Sequence, residues 1–211
     1  MNKKIYINED IGWWGITLNS LKEDIAKLQL EKGEPLSLII NSCGGDIFEA
    51  ISIRDYLISL PNKIDLVVSG LSASAANTIV FGVVRNPKIT AGSQIMLHCA
   101  LSAGFENQFQ KIKTAEVLKR IDDDIIAYIL KRIKMPLNRE DILNKLKEEW
   151  WISSDEAVQL FNFEFVENGF ENKILNTRAF PEILEKSKNN KKFDKDKFQE
   201  TLKNQKKLCG V

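Results

Sequence analysis

The chain has 211 residues, a formal net charge of +1, and 44% hydrophobic and 28% charged residues. Such a composition is typical of a soluble globular protein, and the near-neutral charge argues against nucleic-acid and membrane-surface binding. No apolar run approaches the roughly 18 to 20 residues of a membrane-spanning helix, and no apolar signal core follows the first lysines. We therefore expect a cytoplasmic protein that binds neither nucleic acid nor membrane.

The residue types give little support to metal or disulfide chemistry. The three cysteines, Cys43, Cys99 and Cys209, are odd in number, far apart and without metal-ligand spacing. His98 is the single histidine, which excludes a site with several histidine ligands. We predict reduced thiols, no metal and no cofactor.

Strand-like and helix-like segments alternate through the first half of the chain. Apolar runs at residues 4–8, 36–40 and 64–70 predict strands, whereas residues 17–30 and 48–60 repeat apolar side chains at helical spacing. This alternation predicts βαβ units and a mostly parallel sheet, and hence the α/β class. One more helix and two more strands are predicted at residues 73–84, 88–90 and 93–99.

A long helix dominates the second half of the chain. Residues 108–134 carry isoleucines along one apolar side, and Pro136 ends the helix. Asn138 is placed to cap a shorter helix, and a serine caps another that begins near residue 153. Residues 162–170 predict a terminal strand and turn.

The composition changes after Pro181. Residues 185–211 hold nine lysines and four acidic residues, hence a net charge of +5. We predict one domain over residues 1–180 and a lysine-rich tail over residues 181–211. Such a tail is either a solvated, partly helical segment or a basic segment that docks on an acidic partner or is removed by processing.

Three short motifs stand at the ends of three of the predicted strands. NSCGG forms a loop in which tandem glycines let backbone N–H groups approach a ligand, and GLSAS stands at a helix start, which favours a developing anion. His98 follows the third strand. Because the carboxyl ends of parallel strands meet at one edge of a sheet, we expect a serine, a histidine base and N–H donors there.

Each motif taken alone also has a purely structural explanation. A histidine in an apolar strand is usually a core residue, glycine pairs are usually turns, and small residues at a helix start usually serve close packing. The order of the three along the chain is what favours a reactive serine.

Four segments resemble the Clp protease proteolytic subunit family. INSCGGDIFEAISI resembles its glycine loop and following helix, GLSASAA its G-x-x-x-S motif, IMLHCA its histidine motif, and EWWISSDEA the segment of its third triad member. The resemblance covers about residues 3 to 175. It implies a Clp protease/crotonase-like spiral of βαβ units with a long handle-type helix.

Residue roles follow from the resemblance position by position. Ser74 matches the nucleophile, His98 the general base, and Glu149 the acid that orients the base, with Glu148 as a competitor for that position. Ser72 falls where the family usually has alanine or glycine, and we interpret it as a packing residue.

The resemblance also implies an oxyanion hole. Gly45 matches one backbone donor and Ala75, next after the nucleophile position, supplies the second N–H. Cys43 replaces the usual proline before the glycines, and Cys99 stands where a polar residue is common; we interpret both as small buried residues.

The opening IYINEDIGWWGITLNSL most resembles the phage-encoded branch, the head maturation proteases. It implies an ATP-independent serine endopeptidase that processes phage scaffold and major capsid proteins in the host cytoplasm. The chain starts at its first strand, and we expect it to lack the axial loops that engage AAA+ unfoldases. Three alternatives stay open: a housekeeping subunit working with such an unfoldase, a crotonase-type acyl-CoA hydratase or isomerase, and a non-catalytic assembly factor.

The long helix also predicts oligomerisation. Ile125, Ile126 and Ile129 exceed what one helix face needs to cover a single sheet. In the family that this sequence resembles, the corresponding helix lies between two stacked rings. We therefore expect a homo-oligomer of stacked rings with six or seven subunits each.

Overall fold

The structure, a computed structural model, describes residues 3–12 and 15–166. Its strands are β1 (Lys3–Ile7), β2 (Leu36–Ser42), β3 (Ile64–Ala73), β4 (Lys88–Thr90), β5 (Gln94–Leu97), β6 (Trp150–Ser153) and β7 (Glu164–Val166). Its helices are α1 (Leu18–Lys27), α2 (Ile47–Ser59), α3 (Ala76–Val83), α4 (Gln108–Leu130), α5 (Arg139–Lys147) and α6 (Ser154–Leu160).

The sheet is parallel in the order β1-β2-β3-β4-β7. Every residue of β2 is buried, as expected of a central parallel strand covered on both faces. The end of β3 pairs with β5, and β5 in turn pairs antiparallel with β6. The predicted α/β class with a long helix is confirmed.

Side-chain caps mark where several helices begin. The predicted caps are confirmed: Asn138 accepts hydrogen bonds from the first-turn N–H groups of α5, and Ser153 forms a capping box with Glu156 at the start of α6. Asp46 caps α2 in the same way, directly after the glycine loop.

Strand β3 runs three residues beyond its predicted end at Gly70. Gly70 has a φ of 110°, and the Asn41 Oδ1 accepts a hydrogen bond from the Leu71 N–H at 3.0 Å. This side chain bridges the irregularity in the β2–β3 ladder, so that β3 continues to Ala73 and pairs there with β5. Gly70 by itself predicts the end of a strand. Strand β3 continues past it because Asn41, on the neighbouring strand β2, accepts the hydrogen bond of the Leu71 N–H.

The prediction that the isoleucine cluster of the long helix forms a contact between subunits is wrong. Ile126 and Ile129 are 0% and 2% exposed and belong to the core, and Ile125 packs against it. Helix α4 ends at Leu130, earlier than predicted, and packs against α3 and α5. Its most exposed large apolar side chains, Phe109 and Ile112, lie in its first two turns, whereas Val117, Tyr128 and Leu130 are less exposed.

Within residues 3–12 and 15–166, no helix combines the length and the apolar character needed to cross a membrane. The predicted tail at residues 181–211, the domain boundary at residue 180 and Cys209 lie outside the described residues. They stay predictions.

Candidate active site

Ser74 occupies a tight turn between β3 and α3. Its φ of 53° lies in the left-handed region, which costs a residue with a side chain about 1–3 kcal/mol. The Ser74 N–H donates to the Met96 carbonyl at 2.9 Å, which ties the turn to β5. Ala73 and Ala75 on either side are buried and small, so that the turn fits closely between its neighbours.

The predicted nucleophile and the predicted base lie within hydrogen-bond distance of each other. Ser74 Oγ is 2.7 Å from His98 Nε2, and both side chains are half-buried. The sheet explains this proximity, since Ala73 pairs with Met96 at the shared end of β3 and β5. A serine hydroxyl bonded to an imidazole nitrogen is the arrangement in which histidine can remove the hydroxyl proton.

Ser72 has a different environment from Ser74. It is 0% exposed, and its hydroxyl donates to Asn77 Oδ1 at 2.8 Å. The Asn77 amide in turn donates to the Met96 carbonyl at 2.8 Å. Sequence reasoning missed Asn77, and the signal for it was an amide side chain at the start of a largely apolar helix.

The glycine loop is held by the segment that follows β1. The Ile11 N–H donates to the Gly44 carbonyl at 2.7 Å, and the Asp46 N–H donates to the Ile11 carbonyl at 2.9 Å. The Gly44 N–H is bonded to Ser42 Oγ at 3.1 Å. The N–H of Gly45, by contrast, donates to no acceptor within the described part of the chain.

Gly44 packs directly against the serine turn. A Cβ at this position would lie 2.6 Å from the Ala73 carbonyl oxygen, 2.7 Å from the Ser74 Cβ and 2.8 Å from the Ala75 nitrogen. The loop therefore reaches the backbone beside Ser74 only because residue 44 has no side chain. Sequence reasoning singled out Gly45 and missed this role of Gly44.

Ala75 is the N-cap residue of α3 and follows Ser74 directly. Like the Gly45 N–H, its N–H donates no hydrogen bond to any residue that the structure describes. Both predicted oxyanion donors are thus uncommitted, one on the glycine loop and one on the turn that the loop contacts.

Glu149 directly precedes β6, the strand that pairs with the end of β5 just before His98. Leu97 pairs with Trp150 in the last pair of the β5–β6 ladder, so His98 and Glu149 each adjoin this pair along the chain. Glu149 has a φ of 58°, and its N–H donates to the Leu146 carbonyl. No hydrogen bond joins its carboxylate to His98 among the residues described. Glu148, its competitor, is exposed at the C-terminal cap of α5.

A carboxylate that the sequence did not single out contacts the segment after His98. Asp122 Oδ1 accepts a hydrogen bond from the Ala100 N–H at 2.6 Å. Burial raises the pKa of the Cys99 thiol above its usual value, and the neighbouring Asp122 raises it further. Asp122 is one of three consecutive aspartates on α4, and nothing in the sequence distinguished it from the other two.

The described cysteines are free thiols, and the described acidic residues do not form a metal-binding cluster. Cys43 is buried and Cys99 half-buried, and neither forms a disulfide. Within the described ranges, no group of three or more histidine, cysteine, aspartate or glutamate side chains is arranged to hold a metal ion.

Comparison with known proteins decides the family. The family model described as Clp protease matches residues 3–161. The chain belongs to the Clp protease family. The match to the Clp protease family spans every segment that carries Ser74, His98, Glu149 and the glycine loop, and it places the chain in a family of serine peptidases.

The relatives in this family have low sequence identity to this chain but align with most of its length. The ATP-dependent Clp protease proteolytic subunit 1 of Protochlamydia amoebophila is 25% identical over 178 residues, which cover 81% of this chain and 82% of the relative. The ATP-dependent Clp protease proteolytic subunit 1 of Chlamydia trachomatis serovar D is 26% identical over 75% of this chain and 82% of the relative. The Clp protease proteolytic subunit of Bacteroides fragilis is 21% identical, with 75% and 76% covered.

Proposed function

We propose that this member of the Clp protease family is a serine endopeptidase in which Ser74 is the nucleophile and His98 the general base. The observation that carries the proposal is the 2.7 Å distance between Ser74 Oγ and His98 Nε2. Ser74 Oγ attacks the peptide carbonyl while His98 accepts its proton, and His98 then protonates the leaving amine. Water, deprotonated by the same imidazole, hydrolyses the acyl-enzyme and releases Ser74.

The backbone N–H groups of Gly45 and Ala75 stabilise the oxyanion in this proposal. Both are uncommitted in the described part of the chain, and Gly44 holds the loop against the Ser74 turn. Donors that are already in place when the negative charge develops are worth more than donors that must first reorient.

A fluorophosphonate probe tests the proposal directly, because it phosphonylates only an activated serine. We expect a single labelled site, mapped by mass spectrometry to the peptide that contains Ser74. Heat-denatured protein is the control and should take up no label. Absence of labelling in the folded protein, or a label on another serine, would contradict the assignment.

Glu149 is our proposed orienting acid. Its support is that Glu149 and His98 both adjoin Leu97–Trp150, the last pair of the β5–β6 ladder. We expect Glu149→Gln to lower kcat/KM for a fluorogenic peptide by about 10⁴-fold, because an amide cannot stabilise the imidazolium as a carboxylate does. Glu148→Gln, which changes the exposed neighbour, should stay near the wild-type value. Equal activity of the two variants would mean that another group orients His98.

The Ser74–His98 pair and the family match favour a peptidase over an acyl-CoA hydratase or isomerase, which would use paired carboxylates instead. A role in phage head maturation, without ATP, is our proposal for the biological setting. Its support is the resemblance of residues 5–21 to the phage-encoded branch. The named relatives are ATP-dependent proteolytic subunits, which favours the second candidate, a subunit that works with an AAA+ unfoldase.

Substrate choice separates these two settings. The protein is incubated with the scaffold and major capsid proteins encoded beside its gene, and separately with a folded, tagged protein plus an unfoldase and ATP. Discrete cuts in the capsid or scaffold protein without ATP support head maturation. Degradation of the folded protein that requires ATP supports the unfoldase partnership.

We propose that the subunits assemble into stacked rings through the exposed first half of α4. Phe109 and Ile112 are 68% and 59% exposed there, and Leu101 and Phe105 are exposed just before the helix. An apolar surface of this kind, on an otherwise charged helix, is typical of a contact between subunits.

A pair of aspartate substitutions on α4 tests the assembly. We expect Ile112→Asp to reduce the light-scattering mass while the subunit keeps its circular dichroism spectrum, since Ile112 is 59% exposed. Ile126→Asp should instead unfold the subunit, because it buries a charge in the core. A wild-type mass equal to one chain at concentrations where the enzyme is active would rule out the rings.

A further inference from the structure

Asp122 anchors the chain segment that leaves the predicted base. The β5–β6 pairing ends at Leu97, so His98 lies just beyond the ladder. The next two residues are each tied to a different helix: the Cys99 N–H donates to the Leu146 carbonyl at 3.3 Å, and the Ala100 N–H donates to Asp122 Oδ1 at 2.6 Å. The second bond is the shorter of the two, and its acceptor is a carboxylate.

Only one aspartate of the triplet on α4 makes this contact within the described residues. Asp123 is bonded to Arg139 and Lys119, and Asp124 is exposed. A carboxylate that accepts from a backbone N–H forms a bond roughly twice as strong as a neutral one. The anchor at Ala100 is therefore stronger than the one at Cys99, whose acceptor is a peptide carbonyl.

We propose that Asp122 is a positioning residue, which holds His98 at hydrogen-bond distance from Ser74 by fixing Ala100 to α4. The proposal rests on the proposed function, in which that distance sets the rate of acylation. Asp122 does not touch the substrate or the reacting atoms. It limits how far the imidazole moves away from Ser74, and a misplacement of about 1 Å can cost about 10²-fold in rate.

Three variants test the proposal, with kcat and KM measured on a fluorogenic peptide. Asp122→Ala should lower kcat about 10- to 100-fold and leave KM within about twofold, because the substrate does not contact this residue. Asp122→Asn should keep at least a third of the activity, roughly, since its amide oxygen accepts the same hydrogen bond. Asp124→Ala, which removes the exposed neighbour, should match the wild type.

The outcomes distinguish this proposal from the proposed function. If the wild-type protein takes up no fluorophosphonate on Ser74, the proposed function fails. If the wild type is labelled and Asp122→Ala has the wild-type kcat, the positioning role fails. If Asp122→Asn is as impaired as Asp122→Ala, an acceptor that bonds Ala100 is not sufficient to position His98, and the proposal is also overturned.

Circular dichroism and the melting temperature show whether each variant is folded. The measured rates are divided by the concentration of folded protein. Should Asp122→Ala not fold, Asp122→Ser replaces it, because serine stays polar and is too short to reach Ala100. The same reduction in kcat at unchanged KM is then expected, and a wild-type kcat overturns the proposal.

Discussion

Replacing Ser74 by alanine should lower peptide hydrolysis by about 10⁴- to 10⁶-fold and abolish fluorophosphonate labelling. The reason is that His98 Nε2, 2.7 Å from Ser74 Oγ, then has no hydroxyl to deprotonate. The rate is measured with a fluorogenic peptide, and labelling is followed by intact mass. Residual activity is expected to come from the oxyanion donors and substrate binding alone.

Ser72→Ala is the matched control, since the two serines are separated by one residue. Ser72 is 0% exposed and bonded to Asn77, so a substrate cannot reach it. We expect this variant to keep its labelling and most of its activity, with a loss of stability of about 1–3 kcal/mol because Asn77 Oδ1 is left without its donor. Labelling that survives in Ser74→Ala and disappears in Ser72→Ala would overturn the assignment.

Gly44→Ala should also be severely damaging, with a loss of at least about 10²-fold in kcat. The new Cβ would lie 2.6–2.8 Å from backbone and side-chain atoms of residues 73–75, and the φ of 93° adds strain. The glycine loop must then move away from the Ser74 turn, and the Gly45 donor moves with it. Kinetics with a fluorogenic peptide and the fluorophosphonate labelling rate measure the effect.

Gly33→Ala is the control for Gly44→Ala, because it introduces backbone strain without a steric clash. Gly33 also has a positive φ, 83°, but no atom lies within 4 Å of a Cβ placed there. It should cost about 1–2 kcal/mol in stability and leave kcat unchanged. If Gly44→Ala retains wild-type kcat, the loop does not need its close approach to the serine turn.

The sequence alone was sufficient for the alternation of strands and helices, most helix starts, and the order of the glycine loop, Ser74 and His98 along the chain. These features are encoded locally. Apolar spacing over ten to fifteen residues sets a helix or a strand, and a single side chain such as Asn138 or Ser153 satisfies the first N–H groups of a helix.

The tertiary structure alone decided which parts of these elements meet. The long helix was predicted to expose its isoleucines, but Ile126 is buried, because a helical stripe has the same spacing whether it faces a core or a partner. Strand β6 and its pairing with β5 were missed, and with them the register that brings the ends of the two strands before His98 and after Glu149 together.

The hydrogen bonds around Ser74 and His98 were equally beyond the sequence. Asn77 bonds Ser72 and the end of β5, Asp122 bonds Ala100, and Gly44 packs against the serine turn. Except for the pair Ser72 and Asn77, the partners lie at least 19 residues apart, and each contact depends on where two separate elements end. The spacing of apolar residues along the chain carries no information on these contacts. The contacts arise only when strands pair and helices pack on them.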